Sequence, residues 1–302
     1  MMKSGSPIPS GPAALLQDLP ATSGERRASG KAARKRVRRS TLGSWVEADR
    51  GHDALETILA QNKIRVPELV PIRHQRMAAS PWNYYRGAAA VMAADLACQP
   101  DSGLTVQLGG DAHVLNFGLW ATPERNLSFD LRDFDETLPG PFEWDVKRFA
   151  ASLVVAAREN GIKPATAAAS VTAGVEAYRS NHGERVINGK RMAQSATDIF
   201  VGWGSLHERD YYIRQFRDMK IIPTTELIAP RLAEFATACG GALARAHART
   251  GDPVAIDSYI GKGRRFTAEI SRFANLYADQ NERDHAQLVK AIAAGTVQSL
   301  PA

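Results

Sequence analysis

Between residues 104 and 157 the hydrophobic period of the chain changes twice, and this stretch limits the folds open to it more than any other. Leu104-Thr-Val-Gln-Leu108 alternates apolar and polar residues, the two-residue period of a half-buried strand. Gly109-Gly110 then turns the chain into a polar loop, Asp111-Ala-His-Val-Leu-Asn116, which closes at Phe117-Gly118. Asn126-Leu-Ser-Phe-Asp-Leu131 alternates again, and the acid-rich run extends through Asp133, Asp135 and Glu136. Pro139-Gly140-Pro141 reads as a rigid turn. From Phe142 to Ala157, apolar residues at 142, 146, 149, 150, 153 and 154 mark one helical face, which widens to all-round burial near Val154-Val155. A small sheet from residues 104–108 and 127–131, backed by a core helix, is the expectation.

The rest of the pattern is helical. Asp53 suits the N-cap of a helix to Gln61. Arg73–Ser80 follows, and Pro81 forces Ser80 towards extended geometry. Ala88–Cys98 and Pro164–Tyr178 are rich in strong helix formers, and Arg185–Trp203 carries a weaker helical period. Thr225–Thr250 is a long candidate interrupted at Pro230 and Gly240-Gly241 and stopped by Gly251. Gly263–Asn281 and Glu282–Ala294 complete the set, and Tyr211–Phe216 is the later stretch that suits a strand. The fold class is therefore α+β and predominantly helical, with a domain over residues 41–295 and a frayed end at 296–302.

Composition sets outer bounds. With 302 residues, 44% hydrophobic and 23% charged, the chain suits a globular domain with an ample core. No apolar run reaches the roughly 18 residues of a membrane span, so no membrane partner is expected. Without an apolar leader, and with Cys98 and Cys239 both in alanine-rich surroundings that suit buried thiols, the cytoplasm is the expected compartment. The net charge of +6 belongs to residues 1–40, whose nine bases face two acids; the remainder is nearly neutral. That segment reads as a disordered basic tail. It is either a solubilising extension or a charge-driven contact with nucleic acid or acidic surfaces, the one route to nucleic acid that the sequence offers.

The loop and the acidic run supply parts that phosphoryl transfer needs. Asp111 suits a general base, and Asn116 and Asp130 suit Mg²⁺, with Asp133 and Asp135 as rivals. Strand alternation puts Asp133 and Asp135 on one face and Asp130 on the other. His113 either orients the loop or staples it from a buried position. Arg73, Arg76 and Arg86, then Lys147 and Arg148, and later Arg214, Arg217 or Lys220 are the bases within reach of a phosphate. The competing reading pairs these Asp and Arg residues with each other as a structural network. His247 reads as a helix-packing histidine.

Gly110-Asp111-Ala-His113-Val-Leu-Asn116 resembles the loop of aminoglycoside phosphotransferases and choline kinases, in which an acid follows on the next strand. Longer blocks, among them Arg76–Gly87, Gly109–Gly118, Pro139–Arg148, Tyr212–Lys220 and Ala244–Arg249, resemble the bacterial family called domain of unknown function 2252, over roughly residues 35 to 290. The resemblance implies the large lobe of a kinase-like phosphotransferase that uses ATP and Mg²⁺ to modify a hydroxyl of a small molecule or protein. Asp111 and His113 would be its catalytic pair. Arg76, Arg86, Lys147 and Arg214 would face the nucleotide, and Asn116, Asp130, Asp133 and Asp135 the metal. The family carries a glycine-rich segment with a strand lysine that this chain omits near residues 179–181. That departure implies the alternative of a non-catalytic relative that binds nucleotide, metal or a partner.

Overall fold

A computed structural model describes residues 22–121, 127–182, 202–206, 209–213, 220–221 and 223–300. The chain is α+β and predominantly helical, with small antiparallel sheets. It opens with α1 (Ser23–Arg36), started by a capping box in which Thr22 and Glu25 satisfy each other's backbone donors. Residues 22–40, expected as part of a disordered tail, are therefore ordered. Alanine and arginine carry enough helix propensity, and α1 packs against a later helix.

Four short helices follow, α2 (Ala54–Gln61), α3 (Val70–Ala78), α4 (Pro81–Gly87) and α5 (Ala89–Ala97). Asp53 caps α2 by accepting from the Glu56 amide at 2.8 Å. Ser80, extended ahead of Pro81, caps α4 through the Asn83 amide. Cys239 is buried as expected, but Cys98 sits at the end of α5 and is exposed.

Strands β1 (Thr105–Leu108), β2 (Phe117–Ala121), β3 (Leu127–Leu131) and β4 (Leu138–Pro141) carry the polar loop between β1 and β2. β1 pairs with β4, Val106 opposite Gly140, whereas β2 pairs with β3, Gly118 opposite Asp130. Residues 104–108 and 127–131 thus lie in different sheets, and Pro139-Gly140-Pro141 is an edge strand instead of a turn. Proline is tolerated there because β4 has a single neighbour.

α6 (Phe142–Glu159) is the axis of the core, buried over almost its whole length. α7 (Pro164–His182) packs beside it. β5 (Gly202–Leu206) and β6 (Arg209–Ile213) form a hairpin, and β7 (Lys220–Ile221) joins β2. Of the expected strand at Tyr211–Phe216, residues 211–213 are the end of β6, and the remainder lies outside the described residues. Of the expected helix Arg185–Trp203 only the last two residues are described, and these are in β5.

α8 (Thr225–Ile228) stops before Pro230, and α9 (Leu232–Thr250) then runs straight through Gly240-Gly241. α10 (Pro253–Ile260) and α11 (Arg264–Ala293) close the fold. α11 is one helix where two were expected. At its midpoint Asn281 and Gln280 are buried and bonded, to the Pro81 carbonyl at 2.9 Å and to Asp284 at 2.8 Å. Phe142 at the head of α6 stacks on Tyr178 and Phe266 and meets Tyr259 edge-on, tying α6, α7, α10 and α11 into one core. Among the described residues, no helix is long and apolar enough to cross a membrane.

Candidate functional site

The polar loop is built from behind. Asp145, in the first turn of α6, accepts from the Gly109 amide at 2.7 Å and the Gly110 amide at 3.2 Å. His247 of α9 meets the same carboxylate at 3.1 Å through Nε2, and its Nδ1 bonds the Tyr178 hydroxyl of α7 at 2.8 Å. One buried chain of hydrogen bonds therefore fixes the end of β1 against three helices. Gly110 has φ +80°, and a Cβ there would fall 2.0 Å from the Glu136 carbonyl oxygen, so only glycine fits. The Ser152 hydroxyl holds the Val114 amide at 2.9 Å.

Asp111 leaves this cradle buried and already paired. Arg148 reaches its Oδ1 through Nε at 2.6 Å and Nη2 at 2.5 Å. Arg148 is itself buried, lies over the Tyr85 ring at 4.4 Å and donates to the Tyr85 carbonyl at 3.0 Å. Burial alone would raise the Asp111 carboxyl; Arg148, with help from His113 and Asn116, overcomes it and holds the group below the ordinary aspartate value. His113 sits with Nε2 3.6 Å from Asp111 Oδ2 and its ring edge-on to Trp82, while its Nδ1 has no hydrogen-bond partner among the described residues. Burial drives its imidazole down to about 3 against the pull of Asp111, so the ring is neutral at pH 7.

The expected metal set does not assemble. Asn116 donates its amide N–H to the Asp111 carbonyl at 2.7 Å, which orients the side chain and leaves its oxygen as the ligand atom. Asp130 is buried in β3, accepts from the Leu131 amide at 2.9 Å and meets Arg249 of α9 at 3.4 Å. The strand ends at Leu131, so Asp133 and Asp135 lie on an exposed turn and not on a strand face. Among the described residues, no three His, Cys, Asp or Glu side chains converge as a metal site. Asp130, held by Arg249, is the member of the set that is already paired as it stands. Beside this turn, the Glu136 carboxyl is held above its ordinary value by burial and by its neighbours Asp111, Asp133 and Asp135.

The bases expected at a nucleotide divide in the same way. Lys147 points into the core, bonded to Gln99 at 2.7 Å and over the Phe273 ring at 4.4 Å, and burial lowers its ammonium despite Glu143 nearby. It faces no phosphate, because successive helix residues point about 100° apart and Arg148 takes the loop side. Arg76 and Arg86 are exposed, and Arg86 is near enough to add to the lowering at His113. Arg73 donates to the Gly87 carbonyl at 2.6 Å. Arg214 lies outside the described residues. The sequence reading gave Asp145 no role and took His247 for a packing residue; both lie in blocks that carry the family resemblance, Pro139–Arg148 and Ala244–Arg249, which was the one signal available. Of the expected pairing between these Asp and Arg side chains, Asp111–Arg148 is found; Asp130 pairs instead with Arg249, outside the expected set of bases.

The architecture defines an α+β, mostly helical domain whose polar loop is clamped by buried charge pairs. The chain belongs to the family described as uncharacterized proteins conserved in bacteria, domain of unknown function 2252, whose model matches residues 65–181 and 177–291. No curated protein and no solved structure matches the chain.

Proposed function

We propose that this chain is a non-catalytic member of a kinase-like lineage, acting by binding a partner instead of transferring phosphate. The observation that carries the reading is the buried Asp111–Arg148 pair. A general base must present a free carboxylate oxygen to a substrate hydroxyl. Here Arg148 takes one oxygen and His113 stands over the other. Two further points support it: Asp130, the first choice for Mg²⁺, is paired with Arg249, and the two stretches of family similarity meet at residues 177–181, where the resemblance puts the omitted glycine-rich segment.

The reading separates cleanly from phosphotransfer through one variant. Asp111→Asn leaves Arg148 buried without its counter-charge, and breaking a buried pair costs about 3–5 kcal/mol. At about 2–4 °C per kcal/mol for a domain of this size, the melting midpoint should drop by at least about 6 °C. A variant that melts like the parent, but loses an ATP-dependent labelling activity that the parent has, would make Asp111 a base and sink the proposal.

A further inference from the structure

The basic run at residues 26–39 is a fixed surface. α1 is anchored by the Arg26–Asp252 ion pair at 2.8 Å, by buried Ala33, and by Arg36 donating to the Ser102 carbonyl at 2.9 Å. The Tyr259 hydroxyl of α10 adds a bond to the Val37 carbonyl at 3.2 Å. Eight bases face one acid between residues 22 and 39, and that acid, Glu25, is taken by the capping box.

The α10–α11 turn extends the charge. The guanidinium groups of Arg34 and Arg39 both come up against Gly261, and Arg39 donates to the Ile260 carbonyl. Lys262 is exposed beside them, as are Lys35 and Arg38. Burial, Arg34 and Arg265 together push Arg39 below the ordinary arginine value. Among the described residues, none of Arg34, Lys35, Arg38, Arg39 and Lys262 has a carboxylate within ion-pair distance. The fold thus gathers like charges side by side without neutralising them, an arrangement that a polyanion relieves. The N-terminus of α11 at Gly263 also has no side-chain cap, which leaves amide donors at the same turn.

We propose that α1 and the turn from Gly261 to Arg265 bind the phosphate backbone of duplex nucleic acid, without regard to base sequence. This inference stands apart from the reading of the Asp111 loop. Three of those five bases, Arg34, Arg38 and Arg39, are arginine, whose planar fork suits phosphate oxygens. The 14 residues of α1 span about 21 Å, the reach of several successive phosphates. An anionic membrane is the less fitting partner, because α1 has no Trp, Phe, Leu or Ile to insert below the headgroups.

The test is fluorescence anisotropy of the full chain on a short random-sequence duplex, between ~50 and ~200 mM salt. Binding should weaken linearly in log K against log salt, with a slope of about −0.9 for each phosphate neutralised. Replacing three exposed bases together, Lys35→Gln, Arg38→Gln and Lys262→Gln, should make that slope shallower by about 2.7. The melting midpoint should not change, since none of these side chains holds the fold. No salt-sensitive binding by the parent, or an unaltered slope in the triple variant, overturns the proposal. So does tighter binding to phosphatidylserine vesicles than to duplex at equal salt.

Discussion

Burying His113 costs this protein acid tolerance. Its folded-state pKa of about 3 lies below the value of about 6.5 that an unfolded chain gives a histidine. Between those two values the unfolded chain binds a proton that the folded one refuses, so stability falls as pH drops through that window. At about 1.4 kcal/mol per pH unit, going from pH 6.5 to 5 removes about 2 kcal/mol. Asp111 acts lower down. Its depressed carboxyl contributes stability that is present above the unfolded value near 3.9 and lost as pH falls through the folded one. Urea unfolding at pH 7 and pH 5 should therefore show a loss of about 2 kcal/mol in the parent and much less in His113→Gln. Equal losses in the two proteins would show that His113 protonates as freely folded as unfolded. The sequence held both readings of this histidine open, because a loop position does not reveal burial. It named Asp111 as a candidate base and Arg148 as one of several bases near it, but pairing across 37 positions is a product of the fold.

The contact between α7 and α9 shows how packing overrides propensity. Gly240-Gly241 looks like a helix break, since each glycine costs about 1 kcal/mol against alanine. The helix continues because Gly240 lets the two backbones meet: a Cβ there would lie 2.0 Å from the Gly174 carbonyl oxygen and 3.1 Å from the Tyr178 amide. At Gly241 the nearest atom would be the Asn181 side-chain amide at 3.3 Å, a group free to shift. Gly240→Ala should destabilise by about 1–3 kcal/mol, the usual cost of overpacking, even after its gain in helix propensity. Gly241→Ala should cost far less. Chemical denaturation of the two variants reads this directly, and equal midpoints would mean that the helices separate without penalty. Tyr178 lies in this same contact and bonds His247, so Gly240→Ala should also disturb the clamp on Gly109 and Gly110. The strands were legible at β1 and β3 from alternation alone. Their partners were not, because a period of two fixes which face is buried and says nothing of which strand lies alongside.

Charge and cover decide how the assembled chain meets its ligands. The sequence located the basic run and its extent, but gave it to a disordered tail. Nothing in the run itself announces that Asp252 and Ser102 will anchor it. The glycine-rich segment whose omission the resemblance implies bears on the nucleotide. Kinase-like sites hold ATP through metal ions on carboxylates and a lysine on the phosphates. Here Asp130 faces Arg249 and Lys147 is in the core. A ligand present at 100 times its dissociation constant stabilises a fold by about 2.7 kcal/mol, a rise of about 5–11 °C for a domain of this size. With millimolar ATP and Mg²⁺ the melting midpoint should stay at that of Mg²⁺ alone. A rise of that size would mean that the committed side chains rearrange around nucleotide, and the phosphotransfer reading would then displace the binding one. The same melt run with duplex nucleic acid at low salt should rise, and the rise should vanish in the Lys35, Arg38 and Lys262 triple variant. Stabilisation by the polyanion without stabilisation by the nucleotide is the pattern expected of a chain whose free charge lies on α1, while the charges of its Asp111 loop are already spent on each other.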